Sequence, residues 1–288
     1  MTIAWQVLAI VLFAPLVQGA MKRVRANVQG RPGPSPLQPY RDLAKLWGKE
    51  ALLPAGVSPI PLVAPGIALG VALTFAAVLP LGGATTVVDI VALALALAVA
   101  RFALTLAALD TRDAFAGMAA SREATFGALV EPALLLALLG GAASGWGTQL
   151  ATLAQLPFGA PGLLSIAAFF IVVLAETARV PIDNQETHYE LTMIHEGLVL
   201  EYSGWHLATA QLAAQVRQLC FLLLAALVLP GGAAWWTHLP WVVALAAAIT
   251  VAETLFAKVR LFEVPQLLVT AFILAAASIG MRAFGGFA

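Results

Sequence analysis

Residues 87–109 read VVDIVALALALAVARFALTLAAL, twenty-three positions with only two charged side chains, Asp89 and Arg101. A bilayer's hydrocarbon core is about 30 Å thick and takes roughly 20 helical residues to cross. This run therefore has the length and composition of a membrane-spanning helix. Similar runs lie on both sides of it, at 3–19, 60–79, 127–143, 162–178, 212–230, 241–257 and 265–284. The spacing predicts an all-α integral membrane protein of eight transmembrane helices, organised as a single membrane domain over 1–288. Composition agrees: 61% of residues are hydrophobic, 10% are charged, and mean hydropathy is +0.92. A formal net charge of zero argues against a nucleic-acid partner, which needs a basic surface to neutralise phosphates.

Basic residues in the connections set the predicted orientation, because Lys and Arg favour the cytoplasmic side. The first connection carries Lys22, Arg23, Arg25, Arg31, Arg41, Lys45 and Lys49, and the third carries Arg112 and Arg122. The fifth carries Arg179 and the seventh Lys258 and Arg260, while the second, fourth and sixth carry none. Both termini are thus expected in the periplasm, with the chain in the inner (cytoplasmic) membrane. The first span is read as an anchor and not as a secretory signal, because its basic residues follow the apolar run where a signal peptide places them before it.

The apolar pattern breaks most sharply at residues 176–204, ETARVPIDNQETHYELTMIHEGLVLEYSG, a large acidic loop expected in the cytoplasm between helices 5 and 6. Glu176 and Arg179 are three apart, so on a continuous helix they pair across one turn. Pro181 should then end that helix. Asp183 and Glu186 precede a stretch in which Glu190, Glu196 and Glu201 alternate with apolar residues, which reads as a helix lying at the membrane boundary. Within the spans, Asp89, Arg101, Glu131, Arg217 and Glu253 would be costly facing lipid and should face the interior. Asp89 and Glu253 read equally well as helix-end residues, and Arg101 and Arg217 as structural counter-ions. Glu131 is the strongest internal proton-relay candidate, since nothing near it in sequence explains a buried acid.

The first connection, residues 21–50, has Pro32, Pro34, Pro36 and Pro39, so a short helix is expected only from about Tyr40. It reads either as an anchor on anionic lipid or as a docking platform for a cytoplasmic partner. Metal and hydrolase patterns fail. His195-Glu196 starts an HExxH motif, but Val199 occupies the second histidine's place. His188 and His195 have no third ligand in sequence. Cys220 is the only cysteine, so no cofactor is expected in this chain and any redox metal belongs to another subunit.

Three segments carry a family resemblance. Residues 176–204 resemble the cytoplasmic loop of the membrane subunit shared by group 4 energy-converting nickel–iron hydrogenases, including formate hydrogenlyase, and respiratory complex I, where it is NADH dehydrogenase subunit 1. Residues 30–46, GRPGPSPLQPYRDLAKL, are similar to that family's segment after the first helix, and residues 108–132, ALDTRDAFAGMAASREATFGALVEP, resemble the hydrogenase branch. The run Asn184 to Glu196 departs from the complex I pattern and favours that branch. The resemblance implies a non-catalytic anchor that docks the hydrogenase large and small subunits, which carry the nickel–iron (NiFe) centre and iron–sulfur clusters. Arg25, Arg31, Gln38, Asp42, Lys45, His188 and His195 would meet these partners. Glu176, Arg179, Asp183, Glu186, Glu190, Glu196 and Glu201 would match the redox-sensing loop and Glu131 the acid of the fourth helix. Together they would begin a proton pathway toward antiporter-like membrane subunits that move protons or sodium. On that reading Glu131→Gln and Glu201→Gln should assemble yet uncouple. The alternatives are the quinone-site membrane subunit of complex I and a free-standing ion transporter. The first should show a complex-I-like loop and the second an internal repeat, and the sequence has neither.

Overall fold

The computed structural model of the chain describes residues 2–54, 56–81, 88–141, 148–155, 159–183, 193–229 and 235–285. In chain order the helices are α1 (Ile3–Val28), α2 (Gln38–Trp47), α3 (Ile60–Val78), α4 (Ile90–Asp110) and α5 (Ala114–Gly141). There follow α6 (Ala160–Glu176), the single turn α7 (His195–Leu198), α8 (Gly204–Val228), α9 (Leu239–Leu255) and α10 (Val264–Gly285). Among the described residues there is no strand, only an isolated bridge between Asp89 and Gln149. Seven helices, α1, α3, α4, α5, α8, α9 with the turn before it, and α10, are long and apolar enough to cross a membrane. The chain is an all-α integral membrane protein. The eighth expected span is α6, whose 17 residues rise only about 25 Å at 1.5 Å each.

Helix α8 is the centre of the bundle: 67% of its apolar window is buried, against 22% for α10. It packs on α1, α3, α6 and α9. On α3, Ala64, Ala68, Ala72 and Ala76 recur every fourth residue and are all buried. Such a stripe of small side chains lets backbones approach closely. Farther along the same contact Phe75 meets Phe221 edge-on, with ring centroids 5.2 Å apart. The outward faces show Leu8, Leu12 and Phe13 on α1 and Leu95, Val99 and Phe102 on α4, apolar surface that suits lipid or a partner helix and not water.

Several boundaries depart from the sequence expectation. The first helix runs on to Val28, so Lys22, Arg23 and Arg25 belong to it. The fourth span, expected from 127, begins at Ala114, because the Asp113 carboxylate accepts the backbone N–H groups of Phe115 and Ala116, each at 2.8 Å. Helix α8 starts at Gly204 and not near 212. Gly204 has φ +53° and a Cβ there would lie 2.4 Å from the Glu50 carbonyl oxygen, so only glycine lets the strap before α3 cross the start of α8. The helix expected around Glu190–Glu201 is reduced, among the described residues, to the turn α7. Residues Glu186, His188 and Glu190 lie outside the described residues.

Helices α1, α4, α6 and α9 end, and α3, α5, α8 and α10 begin, at one end of the bundle, where α2 and α7 also lie. Ser58 N–H donates to Asp110 at 2.6 Å, Val259 N–H to the Pro181 carbonyl at 2.9 Å, and Leu52 N–H to Ser203 at 2.7 Å, tying these junctions together.

Candidate functional site

Arg101, buried on α4, is the hub of this end. Its Nε lies 3.1 Å from Glu123 Oε1, its Nη1 3.5 Å from Glu131 Oε1, and its Nη2 pairs with Glu176 Oε1. The guanidinium fits because α5 has Gly127 opposite it: a Cβ there would stand 2.9 Å from Nη1. Three carboxylates thus share one cation, and Arg217 on α8 is within electrostatic reach of Glu176 and Glu123. Glu176 Oε2 is buried with no hydrogen-bond partner among the described residues.

The array continues outward. His195 Nδ1 stands 3.6 Å from Glu123 Oε2 and 3.9 Å from Asp183 Oδ2, and Asp183 Oδ1 pairs with Lys258 at 2.8 Å. The backbone N–H of His195 donates to Asp183 at 3.1 Å, and Arg122 holds the preceding Met193 carbonyl at 2.9 Å. From Glu131 through Arg101, Glu123, His195 and Asp183 to Lys258, no step exceeds 3.9 Å.

A second cluster ties α1, α8 and α9 to the segment after α6. Arg179 Nη1 pairs with Glu253 at 2.9 Å, Arg25 reaches the other Glu253 oxygen at 3.3 Å, and Arg179 Nη2 donates to Gln18 and, at 2.7 Å, to Gln218. The expected Glu176–Arg179 pair does not form. Helix α6 ends at Glu176, Ala178 turns with φ +51°, and the two side chains leave in different directions, one to Arg101 and the other to Glu253. Glu253 is therefore an interior ion-pair residue. Asp89 is a helix-end residue: exposed at the opposite end of the bundle, it caps α4 by accepting Val91 N–H at 2.8 Å and takes a bond from Thr148. Glu131, expected to face the interior a few residues into its span with no charge near it in sequence, has Arg101 beside it and 41% of its side chain exposed. Among the described residues Glu201 joins none of these pairs. Burial pushes the nearby Tyr202 phenol above its usual value, so it stays protonated at working pH.

Between α1, α2, α7 and α8 lies a cavity of about 630 Å³. Gln18, Lys22, Gln38, Asp42 and Lys45 line it from α1 and α2, and Gln211, Gln215 and Arg217 from α8. His195 and Glu196 form part of its wall. Gln38, Asp42 and Lys45 sit on the α2 side, with Gln38 donating to Asp42 at 2.8 Å, whereas Arg31 stands apart, exposed, bonded to Gln29. Among the described residues no group of three or more His, Cys, Asp and Glu side chains is placed to hold a metal, and Cys220 is a buried free thiol. Glu123, Gln18, Gln218 and Gly127 are not singled out by the sequence reading. For Glu123 a signal exists: it precedes Glu131 by eight positions, a spacing that shares one helix face.

Residues 1–281 match the family described as NADH dehydrogenase. Formate hydrogenlyase subunit 4 of Escherichia coli is 33% identical over 226 residues, covering 74% of this chain and 73% of that protein. Hydrogenase-4 component C of the same organism is 32% identical over 253 residues, covering 80% and 75%. A subunit of the NADH-quinone oxidoreductase of Salinibacter ruber is 30% identical over 227 residues, covering 68% and 62%. A chain of the membrane-bound sulfane sulfur reductase, an archaeal respiratory membrane complex, superposes with a TM-score of 0.82 over 97% of this chain and 99% of its own. At 20% identity that likeness shows the fold.

Proposed function

The chain belongs to the NADH dehydrogenase family, as a complex-I-like membrane subunit of the NADH dehydrogenase subunit 1 type, and from that premise we propose that it anchors a nickel–iron hydrogenase of the formate hydrogenlyase type. In this role it docks the large and small subunits, which carry the nickel–iron centre and iron–sulfur clusters. It passes the electrostatic consequence of their redox chemistry to antiporter-like membrane subunits, which move protons or sodium. The charged end faces the cytoplasm, and both termini face the periplasm across the inner membrane.

The observation that carries the reading is the unbroken array of ionisable groups from Lys258 to Glu131, laid through the end of a membrane bundle with Arg101 at its middle. In a low-dielectric interior one added charge is felt strongly by its neighbours. A proton or electron arriving in the docked partner shifts the first members of the array, and these shift the next. The array supports Glu131 as its far end and Glu176 as its fully buried member, while among the described residues Glu201 stands outside it. The docking role is supported by the exposed Arg41, Lys45 and Lys49 around the amphipathic α2.

The test is a mild-detergent purification of the tagged chain from its native membrane, with mass spectrometry of the partners and metal analysis. Co-purifying subunits with paired Cys-x-x-Cys motifs, together with nickel, support the proposal. Recovery with NADH-oxidising subunits and quinone overturns it in favour of complex I, and recovery alone in favour of a transporter.

A further inference from the structure

Two spaces meet at one side chain. His195 lines the large cavity and also a small pocket lined by Arg101, Glu123 and Gly127. Its Nδ1 is sealed from solvent, has no hydrogen-bond partner among the described residues, and points at Glu123 Oε2 from 3.6 Å. Yet 21% of the side chain is exposed, on a ring that forms cavity wall. One edge of the imidazole is therefore inside the charged array while the ring is also open to the cavity. The placement is enforced by packing: α7 lies so close to α5 that a Cβ on Gly197 would stand 2.4 Å from Ala119 Cβ.

We infer that His195 is the proton-entry residue of this chain, carrying protons from the aqueous cavity to Glu123 and so into the Arg101 cluster. The inference rests on the coupling role proposed above and names the residue through which that role begins. Imidazole is suited to this because each of its nitrogens can gain or lose a proton near neutral pH. With hydrogen on Nδ1, the ring takes a proton from cavity water at Nε2 and becomes imidazolium. It then releases the Nδ1 proton to the Glu123 carboxylate. The ring is left neutral with hydrogen on Nε2, Glu123 is left protonated, and one proton has crossed the wall. Rotation of the ring, which turns Nδ1 to the cavity for exchange, restores the starting tautomer.

Charged groups face the ring from every element packed against it. Glu123 faces it from α5 and Asp183 from the segment after α6, with Glu176 just behind on α6 and Glu196 next in the chain. Opposing them are Arg101 on α4, held by three carboxylates, Arg217 on α8, and Lys258 after α9, which is paired with Asp183. Arg122 is turned to the Met193 carbonyl.

The test uses the whole complex purified from native membranes and carrying His195→Gln, His195→Ala or, as a control, Glu176→Gln. Turnover and the ions moved per electron pair are measured across pH. Both His195 variants should assemble and turn over slower by on the order of 100-fold. The limb of the native pH profile that reports proton uptake should be missing from both. Free imidazole should restore turnover to His195→Ala, whose vacated wall admits it, and not to Glu176→Gln. If both His195 variants keep the native rate and pH profile while Glu176→Gln is impaired, His195 is not the entry residue and the inference falls alone. If His195→Ala is slow but deaf to imidazole, and His195→Gln restores the native profile, the residue is a spacer and the inference also falls. If Glu176→Gln itself behaves as native, the coupling function beneath it fails instead.

Discussion

The two ends of the bundle are held together by different chemistry. At the end where α2 and α7 lie, Arg101, Arg179, Arg25 and Lys258 are paired with Glu123, Glu131, Glu176, Glu253 and Asp183. Toward the other end, neutral groups do the same task. Gln6 Nε2 donates to the Ala76 and Leu79 carbonyls at 2.8 Å each, Ser165 to the Ala137 carbonyl at 2.7 Å, and Ser278 to the Pro161 carbonyl at 2.7 Å. His238 Nδ1 meets the Ala226 carbonyl at 3.0 Å. The neutral end demonstrates that these helices can be stapled without ions. Buried ion pairs are a poor way to gain stability, because desolvation consumes most of their attraction. Ion pairs kept, among the described residues, at one end, when amides and hydroxyls serve at the other, point to a use beyond holding the fold.

That contrast can be broken at either end. The largest effect belongs to Arg101→Met, which leaves Glu123 and Glu176 buried without their cation. It should destabilise the assembled complex by about 3–5 kcal/mol and abolish ion movement, read by thermal unfolding in detergent and by transport in vesicles. Gly127→Ala comes next, since the new methyl displaces the guanidinium from its seat. A loss of about 1–3 kcal/mol is expected, together with weakened coupling, whereas a stable variant with native coupling would show that the exact position of Arg101 is unimportant. At the neutral end Gln6→Leu should cost about 1–2 kcal/mol by stranding two carbonyls and leave ions moved per electron unchanged. Loss of coupling there would erase the distinction between the ends. The smallest effect is Asp89→Asn, which preserves the cap of α4 and should change stability by less than about 0.5 kcal/mol, with transport intact.

The fold is largely legible because a bilayer imposes its length on the sequence: each apolar run forms a helix, most of them within a few residues of the expected limits. The failures share one cause. The start of α5, Ala114 to Phe126, contains Arg122 and Glu123 and so lacks the apolar signature of a span, although it is continuous helix. Glu123 is hidden with it. The charged members of the site announce themselves as costly residues in an apolar chain, and Arg101, Glu131, Glu176, Asp183 and Glu253 all lie at one end. Their pairing is not legible, because Arg101 and Glu176 are 75 positions apart and Arg179 and Glu253 are 74 apart. Only the local pair, Glu176 with Arg179, is readable by spacing, and it fails because that rule needs a helix that continues past Glu176.

Glu176 tests the central claim most directly, since it is fully buried, bound to Arg101 through one oxygen and left, among the described residues, with no partner for the other. The decisive measurement is the number of ions moved per electron pair by the intact complex in sealed vesicles, native against Glu176→Gln. Coupling through the array predicts that the variant assembles, that its docked partner still exchanges electrons, and that ion movement falls to background. Ion movement at the native ratio would contradict the account and leave the charged end as structure alone.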